Sequence, residues 1–205
     1  MEEWNSINVT KNTPVVAGID YIKKILAKNG IFVPNYEIPP GFERYMGRDY
    51  DVITLQEALA KHMSGDSFFI KPWEIHKLFT GFVLDDVYGL RKLHGIPLDT
   101  KVIISDVVDI ISEYRVFVHN GEVVGCKHYN GNPLVFPDRH IIEESFANIV
   151  DYPCAYSLDY GITKAGETIF IEANDGFALG AYGLNSITYS EMIEDRWYEM
   201  FTTGK

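Results

Sequence analysis

The chain has 205 residues, of which 46% are hydrophobic and 23% are charged, a composition typical of a globular protein and too apolar for intrinsic disorder. Lys and Arg number 18 against 29 Asp and Glu, and the resulting net charge of −11 argues against general affinity for nucleic acids or anionic membranes. No apolar run approaches the roughly 20 residues of a membrane span, and the N-terminus lacks a signal-peptide pattern. We therefore expect a cytoplasmic protein with no nucleic-acid and no membrane partner.

The first part of the chain predicts two helices separated by an irregular connection. Val15-Val16-Ala17 is typical of a short strand, and apolar residues then recur at helical spacing from Ile19 to Asn29-Gly30, a common helix stop. The segment 34–50 is rich in Pro and Gly, which favours a connection. Thr54 and Glu57 have the spacing of a capping box and predict a helix over 55–62.

The rest of the chain consists mainly of short β-rich runs. Asn120-Gly121 separates two of them and predicts a tight hairpin, because Asn and Gly adopt positive φ at low cost. The expected strands are 67–71, 101–105, 114–119, 122–128 and 169–173, and the expected helices are 141–150 and 190–201. Strands and helices do not alternate strictly, so we predict an α+β fold with mainly antiparallel sheet rather than a doubly wound parallel one.

Three polar residues near the end of the chain have the pattern of a magnesium site. A turn over 163–167 would pair two strands and bring Asp159 beside Glu172 and Asn174. Period-two alternation places Glu172 and Asn174 on one face of their strand, opposite Ile171 and Ala173. Carboxylate and amide oxygens are the ligands that Mg²⁺ prefers. The same residues also suit a plain hairpin that faces solvent.

Two cations occur in strands that are otherwise apolar. Lys71 ends the run Phe68-Phe69-Ile70, and Arg115 lies within Tyr114 to Val118. A buried cation without a partner is costly, and a polyphosphate would be a suitable partner.

Taken in order along the chain, these motifs resemble those of the ATP-grasp superfamily, which includes D-alanine:D-alanine ligase, glutathione synthetase and tubulin tyrosine ligase. The resemblance covers about residues 67–185 and is strongest for a clade of small ATP-grasp proteins found in phages and bacteria. It implies an α+β fold whose two lobes, with mainly antiparallel sheets, grip ATP between them. The matching pieces are Ile70-Lys71-Pro72, Val102 to Asp109, Glu113 to Val118, and Asp159 with Glu172-Ala173-Asn174.

The resemblance also implies roles for the matching residues. Lys71 would contact the phosphates of ATP, Arg115 would stabilise the transferring phosphoryl group, and both would be catalytic together with Glu172. Adenine and ribose would lie at Asp106, Val107, Val108 and Asp109. The metal ligands for Mg²⁺ or Mn²⁺ would be Asp159, Glu172 and Asn174.

Three further positions are less specific. Many relatives have a Gly- and Ser-rich loop after the strand lysine, whereas this chain has a bulkier segment in which Lys77 would bind phosphate through its side chain or be a surface lysine. Lys127 would contact ATP or face solvent. The glycine-rich segment that follows the metal strand would approach the substrate or be a plain loop, and its candidate residues are Asp175, Gly176 and Gly180.

The resemblance implies a short N-terminal region over 1–63 and an ATP-grasp domain over 64–205, with lobes of about 64–108 and 109–205. The implied activity is that of a carboxylate–amine or carboxylate–thiol ligase acting through an acyl phosphate with Mg-ATP. A kinase-like phosphotransferase would use the same residues, and a nucleotide-binding protein without turnover is a further alternative. The carboxylate and amine substrates stay open, and a peptide or protein terminus is among the candidates.

Overall fold

A computed structural model describes residues 9–73 and 78–203 of the chain. Every strand pairing in these residues is antiparallel, and the strands form two four-stranded sheets, which confirms the predicted α+β class. None of the helices in this part of the chain is both long and apolar enough to cross a bilayer. In chain order the elements are α1 (Ile19–Lys28), β1 (Tyr50–Thr54), α2 (Leu55–Met63), β2 (Phe68–Pro72), β3 (Phe82–Leu84), α3 (Val87–Lys92), β4 (Lys101–Ser105), β5 (Ile110–His119), β6 (Glu122–Gly131), α4 (Arg139–Ala147), β7 (Ala155–Thr163), β8 (Thr168–Asp175) and α5 (Ser186–Thr203).

One compact unit comprises residues 46–109 and contains the sheet β1-β4-β2-β3. Helix α2 begins with the expected capping box, in which Thr54 Oγ1 accepts from the Glu57 backbone N–H and Glu57 accepts from the Thr54 backbone N–H. Leu55 and Ala58 of this helix are buried against β2 and β4. The strand β1 and the helix α2 thus pack within this unit, whereas the sequence analysis grouped residues up to 63 with an N-terminal region.

The second unit joins the chain up to Tyr45 with the chain from Ile110 onward, and its sheet has the order β6-β5-β7-β8. The hairpin between β5 and β6 turns at Asn120 and Gly121, whose φ angles are 51° and 77°, as the Asn-Gly pair predicts. Val15 to Ala17 form no strand, because this short run between Pro14 and Gly18 has no neighbouring strand in the described sheets. Helices α1 and α5 contribute to one apolar cluster of this unit.

A buried arginine connects α5 to the end of β8. Arg196 is fully buried, and its Nε and Nη2 donate to the two carboxylate oxygens of Asp175 at 2.7 Å each. Its Nη1 donates to Glu199 at 2.8 Å. Burial alone would lower the pKa of Arg196, but the two carboxylates outweigh it and raise that pKa. The arginine is therefore charged and holds two acidic side chains in place.

This ion-pair cluster should dominate the stability of the second unit. Arg196→Met leaves two largely buried carboxylates without their cation, which we expect to lower the free energy of unfolding by about 3–5 kcal/mol. Arg139→Met is the matched control, because Arg139 pairs with Glu143 on the surface of α4 and such pairs contribute less than about 1 kcal/mol. Urea denaturation of both variants measures the difference, and equal midpoints would contradict the structural role of Arg196.

Candidate functional site

Four charged residues form one row across the sheet of the second unit. Lys127 on β6 pairs in register with Arg115 on β5, Arg115 with Asp159 on β7, and Asp159 with Glu172 on β8. Side chains at paired positions share a face of the sheet. Two cations on one side of the row therefore meet two carboxylates on the other side, although the four residues are far apart in the sequence.

Arg115 and Asp159 form the centre of this row. Arg115 Nε and Nη2 donate to Asp159 Oδ1 and Oδ2 at 2.8 and 2.7 Å, a two-bond contact that fixes the plane of the guanidinium. Only 8% of Arg115 and 2% of Asp159 is exposed. Within the described residues Arg115 Nη1 makes no hydrogen bond. The outer edge of the guanidinium is therefore available to a ligand oxygen.

Two tyrosines that the sequence analysis did not identify pack on this arginine. Arg115 Cζ lies 4.9 Å from the ring centre of Tyr182 and 5.8 Å from that of Tyr129. The Tyr129 hydroxyl donates to Asp159 Oδ2 at 3.4 Å. Tyr129 lies at a register shift between β5 and β6, two residues after Lys127, and this spacing was the available signal for its position. No comparable signal identifies Tyr182, which lies in the loop after β8 with a φ of 42°.

The three predicted metal ligands are close together. Asn174 Nδ2 lies 3.5 Å from Asp159 Oδ2 and 3.4 Å from Glu172 Oε1. Among the described residues no three His, Cys, Asp or Glu side chains are grouped for a metal, so the third donor of this set is the amide. Each carboxylate oxygen has a second lone pair, and an amide presents its oxygen after a half-turn. Two carboxylates and one amide oxygen are hard donors that fit Mg²⁺ or Mn²⁺.

A β-bulge lies next to this cluster. Glu172 pairs with Asp159 but Phe170 pairs with Tyr160, so Ile171 is an extra residue in β8. A Cβ atom at Gly161 would lie 3.2 Å from Ile171 Cδ1 and 3.0 Å from Ile110 Cγ2. The alternation expected for Ile171 is therefore wrong, because the bulge turns its side chain toward the face that carries Asp159. Ile110 and Ile171 form an apolar wall beside the carboxylates.

The predicted substrate-loop residues have different surroundings. The Asp175 side chain belongs to the Arg196 cluster, on the face of β8 opposite Asn174. Gly176 is buried, and a Cβ atom there would lie 2.4 Å from the Ala155 carbonyl oxygen. Gly180 is exposed, and a Cβ atom at this position would lie 3.1 Å from the ring of Tyr182. Gly180 is the one of these three that lies near the charged row.

The remaining candidates lie in the unit formed by residues 46–109. Lys71 is half-buried on β2, where it alternates with the core residue Ile70. Asp106 to Asp109 are irregular and follow β4, and Asp106 and Asp49 exchange hydrogen bonds of 3.1 and 3.2 Å. Asp106 also lines a cavity of about 250 Å³ together with Asp49, Asp51, Asp66 and Ser105. Lys77 lies outside the described residues.

A family model of the ATP-grasp domain, describing the second family of one clade of these domains, matches residues 45–192, which is most of the chain. The chain belongs to this family. The family membership confirms the resemblance found in the sequence, and the two antiparallel sheets confirm the ATP-grasp fold that the resemblance implies. No curated protein matches the chain.

Several solved ATP-grasp structures are similar to this chain. D-alanine–D-alanine ligase from Helicobacter pylori is 16% identical with a TM-score of 0.50, over 86% of this chain and 57% of that protein. A RimK domain ATP-grasp protein from Sphaerobacter thermophilus is 14% identical with a TM-score of 0.47, over 91% and 67%. N5-carboxyaminoimidazole synthetase from Staphylococcus aureus, solved with ADP, is 13% identical with a TM-score of 0.43, over 90% and 50%. The ATP-grasp chain thus spans about half to two thirds of these proteins.

Burial gives Asp159 an unusual acidity. It raises the pKa of Asp159 to about 6 from an ordinary 3.8, against the opposing effect of Arg115 and with further contributions from Glu172 and Glu113. A carboxylate with a raised pKa is stabilised by a nearby cation. The charge at this site therefore favours metal binding, in agreement with the donor set.

The raised pKa makes the stability of the metal-free protein depend on pH. Between about pH 4 and 6 the folded protein binds the Asp159 proton more tightly than the unfolded chain, so this contribution is present below pH 4 and is lost as the pH rises to 6. We expect the unfolding free energy of the wild type, relative to Asp159→Asn, to fall by about 3 kcal/mol over this range. Urea denaturation in EDTA measures it. A relative stability that increases from pH 4 to 6 would contradict this assignment.

Proposed function

We propose that this ATP-grasp protein is an ATP-dependent ligase that joins a carboxylate to an amine or a thiol. A carboxylate oxygen attacks the γ-phosphorus of ATP and ADP leaves. The amine nitrogen then attacks the acyl carbon, phosphate leaves, and the nitrogen loses a proton. The observation that carries the proposal is the charged row, in which Lys127 and Arg115 adjoin Asp159 and Glu172.

Arg115 is suited to a transition-state role because it is already oriented. Asp159 occupies Nε and Nη2, and two aromatic rings cover the guanidinium, so its outer edge needs little reorganisation to meet a phosphoryl oxygen. Lys127, one strand away, adds positive charge on the same side of the row. These groups would stabilise the negative charge of the transferring phosphoryl group.

The opposite side of the row would hold the metal. Asp159, Glu172 and Asn174 are the proposed ligands, and Mg²⁺ or Mn²⁺ bound there supplies charge that neutralises the phosphate oxygens and orients them. Lys71 and Lys77 are proposed to bind phosphate, and Asp106, Val107, Val108 and Asp109 to line the adenine and ribose. Gly180 is the part of the predicted substrate loop that supports a contact with the acceptor.

The proposal is tested by trapping the acyl phosphate. Purified protein is incubated with Mg-ATP, a panel of carboxylates including peptides, and hydroxylamine, which converts an acyl phosphate to a hydroxamate. We expect hydroxamate and phosphate to appear only when a suitable carboxylate is present. Release of ADP with a phosphorylated hydroxyl acceptor and no hydroxamate would indicate a phosphotransferase, and no ATP consumption with any acceptor would indicate a binding protein.

Glu172→Gln should separate chemistry from folding. The change keeps the size of the side chain and removes its charge, so we expect ATP turnover to fall by at least about 100-fold, or about 3 kcal/mol, while the protein stays folded. Glu191→Gln is the matched control, because Glu191 is exposed on α5, away from the charged row. Circular dichroism checks the fold. Wild-type turnover in Glu172→Gln would contradict the proposed metal site.

Lys71 and Arg115 should give different kinetic signatures. We expect Lys71→Ala to raise KM for ATP with little change in kcat, because a contact with the ground-state phosphates contributes to binding. Arg115→Lys keeps the charge but loses the two-bond fork, so kcat should fall by about tenfold or more. Lys24→Ala, an exposed lysine on α1, is the control. If both variants changed only KM, the role of Arg115 would be wrong.

A further inference from the structure

Ser157 on β7 has a buried hydroxyl without a partner. The residue is fully buried, and its Oγ makes no hydrogen bond. Within the described residues the only other buried side-chain polar atom in this condition is His128 Nε2. An unsatisfied hydroxyl in the interior destabilises a protein, so its presence calls for a physical explanation.

The position of Ser157 relates it to the proposed metal ligands. Ser157 pairs in register with Asn174 and lies two residues before Asp159, so the three side chains share one face of the sheet. Its other register partner is Phe117, which belongs to an apolar cluster. The hydroxyl therefore lies at the boundary between apolar packing and the polar site, with the Asn174 amide as its polar neighbour across the strands.

Asn174 uses only one end of its amide in this structure. Its NH₂ group donates toward both Asp159 and Glu172, where it partly neutralises two carboxylates. Its Oδ1 accepts no hydrogen bond from the described residues. This orientation is incompatible with metal ligation, because a cation between the carboxylates requires the amide oxygen and repels the N–H groups.

We propose that Ser157 is a positioning residue that accepts a hydrogen bond from the Asn174 amide when a divalent cation replaces that NH₂ group beside Asp159 and Glu172. The inference rests on the metal site of the proposed function. Turning the amide directs Oδ1 to the cation and the NH₂ group to Ser157 Oγ, so both groups gain a partner. Partners behind a metal ligand orient it and raise metal affinity in this way.

Two serine variants test the proposal. Ser157→Ala removes a hydroxyl that is unsatisfied without metal, so the stability of the metal-free protein should stay equal or rise, while affinity for metal–nucleotide falls by about tenfold. Ser145→Ala is the matched control, because Ser145 is also fully buried but its Oγ bonds with the Tyr160 hydroxyl at 2.6 Å and the Ile142 carbonyl at 3.0 Å. It should destabilise the metal-free protein and leave the affinity unchanged.

The measurements are urea denaturation in EDTA and calorimetric titration with the Mn²⁺ complex of a non-hydrolysable ATP analogue, compared with the analogue in EDTA. A second background, Asn174→Asp, replaces the amide by a carboxylate that has no N–H to orient. In that background Ser157→Ala should no longer weaken Mn²⁺-dependent binding. A persistent tenfold loss would show that Ser157 acts by another route and would overturn the proposal.

The remaining outcomes separate this inference from the proposed function. If the wild type shows no Mn²⁺-dependent binding, the metal site fails and the inference fails with it. If the wild type and Ser157→Ala bind the Mn²⁺ complex equally, the metal site stands and only the inference is overturned. Destabilisation of metal-free Ser157→Ala, as large as that of Ser145→Ala, would also overturn it, since the hydroxyl would then have a partner without metal.

Discussion

The ion pair between Arg115 and Asp159 is the interaction on which the candidate site depends. Removing two charges from water is unfavourable, and a buried pair persists only when its geometry and hydrogen bonding are nearly complete. The two bonds between these residues meet that condition and fix both side chains. The guanidinium can then act on a ligand without first being ordered, because β5 and β7 already define its position.

The charges around this pair are separated across the sheet. The cations lie on β5 and β6, and the carboxylates lie on β7 and β8. Such an arrangement favours anionic oxygens at one end and a cation at the other, which is the charge distribution of a metal-bound triphosphate. The apolar wall of Ile110 and Ile171 limits water near the carboxylates and strengthens their electrostatic interactions.

The sequence contained much of this site, but not its connections. The spacing between Asp159 and Glu172 and the turn between them predicted their juxtaposition, because hairpin pairing is local. The contact of Arg115 with Asp159 depends on the order of strands in the sheet, which period-two alternation does not encode. A polyphosphate was therefore expected as the partner of Arg115, whereas the structure provides a carboxylate of the chain itself. Tyr182 was missed because a loop conformation brings it to Arg115.

Asp175 illustrates the same limit on the other side of β8. Its position next to Asn174 in a glycine-rich segment suggested contact with substrate, but alternation turns it to the opposite face, where Arg196 holds it. The identity of that partner, on a helix near the end of the chain, could not be read from the local sequence. Adjacent residues of one strand thus have different surroundings, one at the candidate site and one in the structural core.

The bulge at Ile171 has a consequence for how relatives of this chain can be recognised. Asp159 and Glu172 are 172 − 159 = 13 positions apart, yet Ile171 takes no part in the regular pairing between β7 and β8. A hairpin without the bulge would pair the same two residue types at a separation shorter by one. A search pattern with a fixed separation would accept only one of these two backbones, although both present the same carboxylates. A family defined by its ligands should therefore tolerate both lengths.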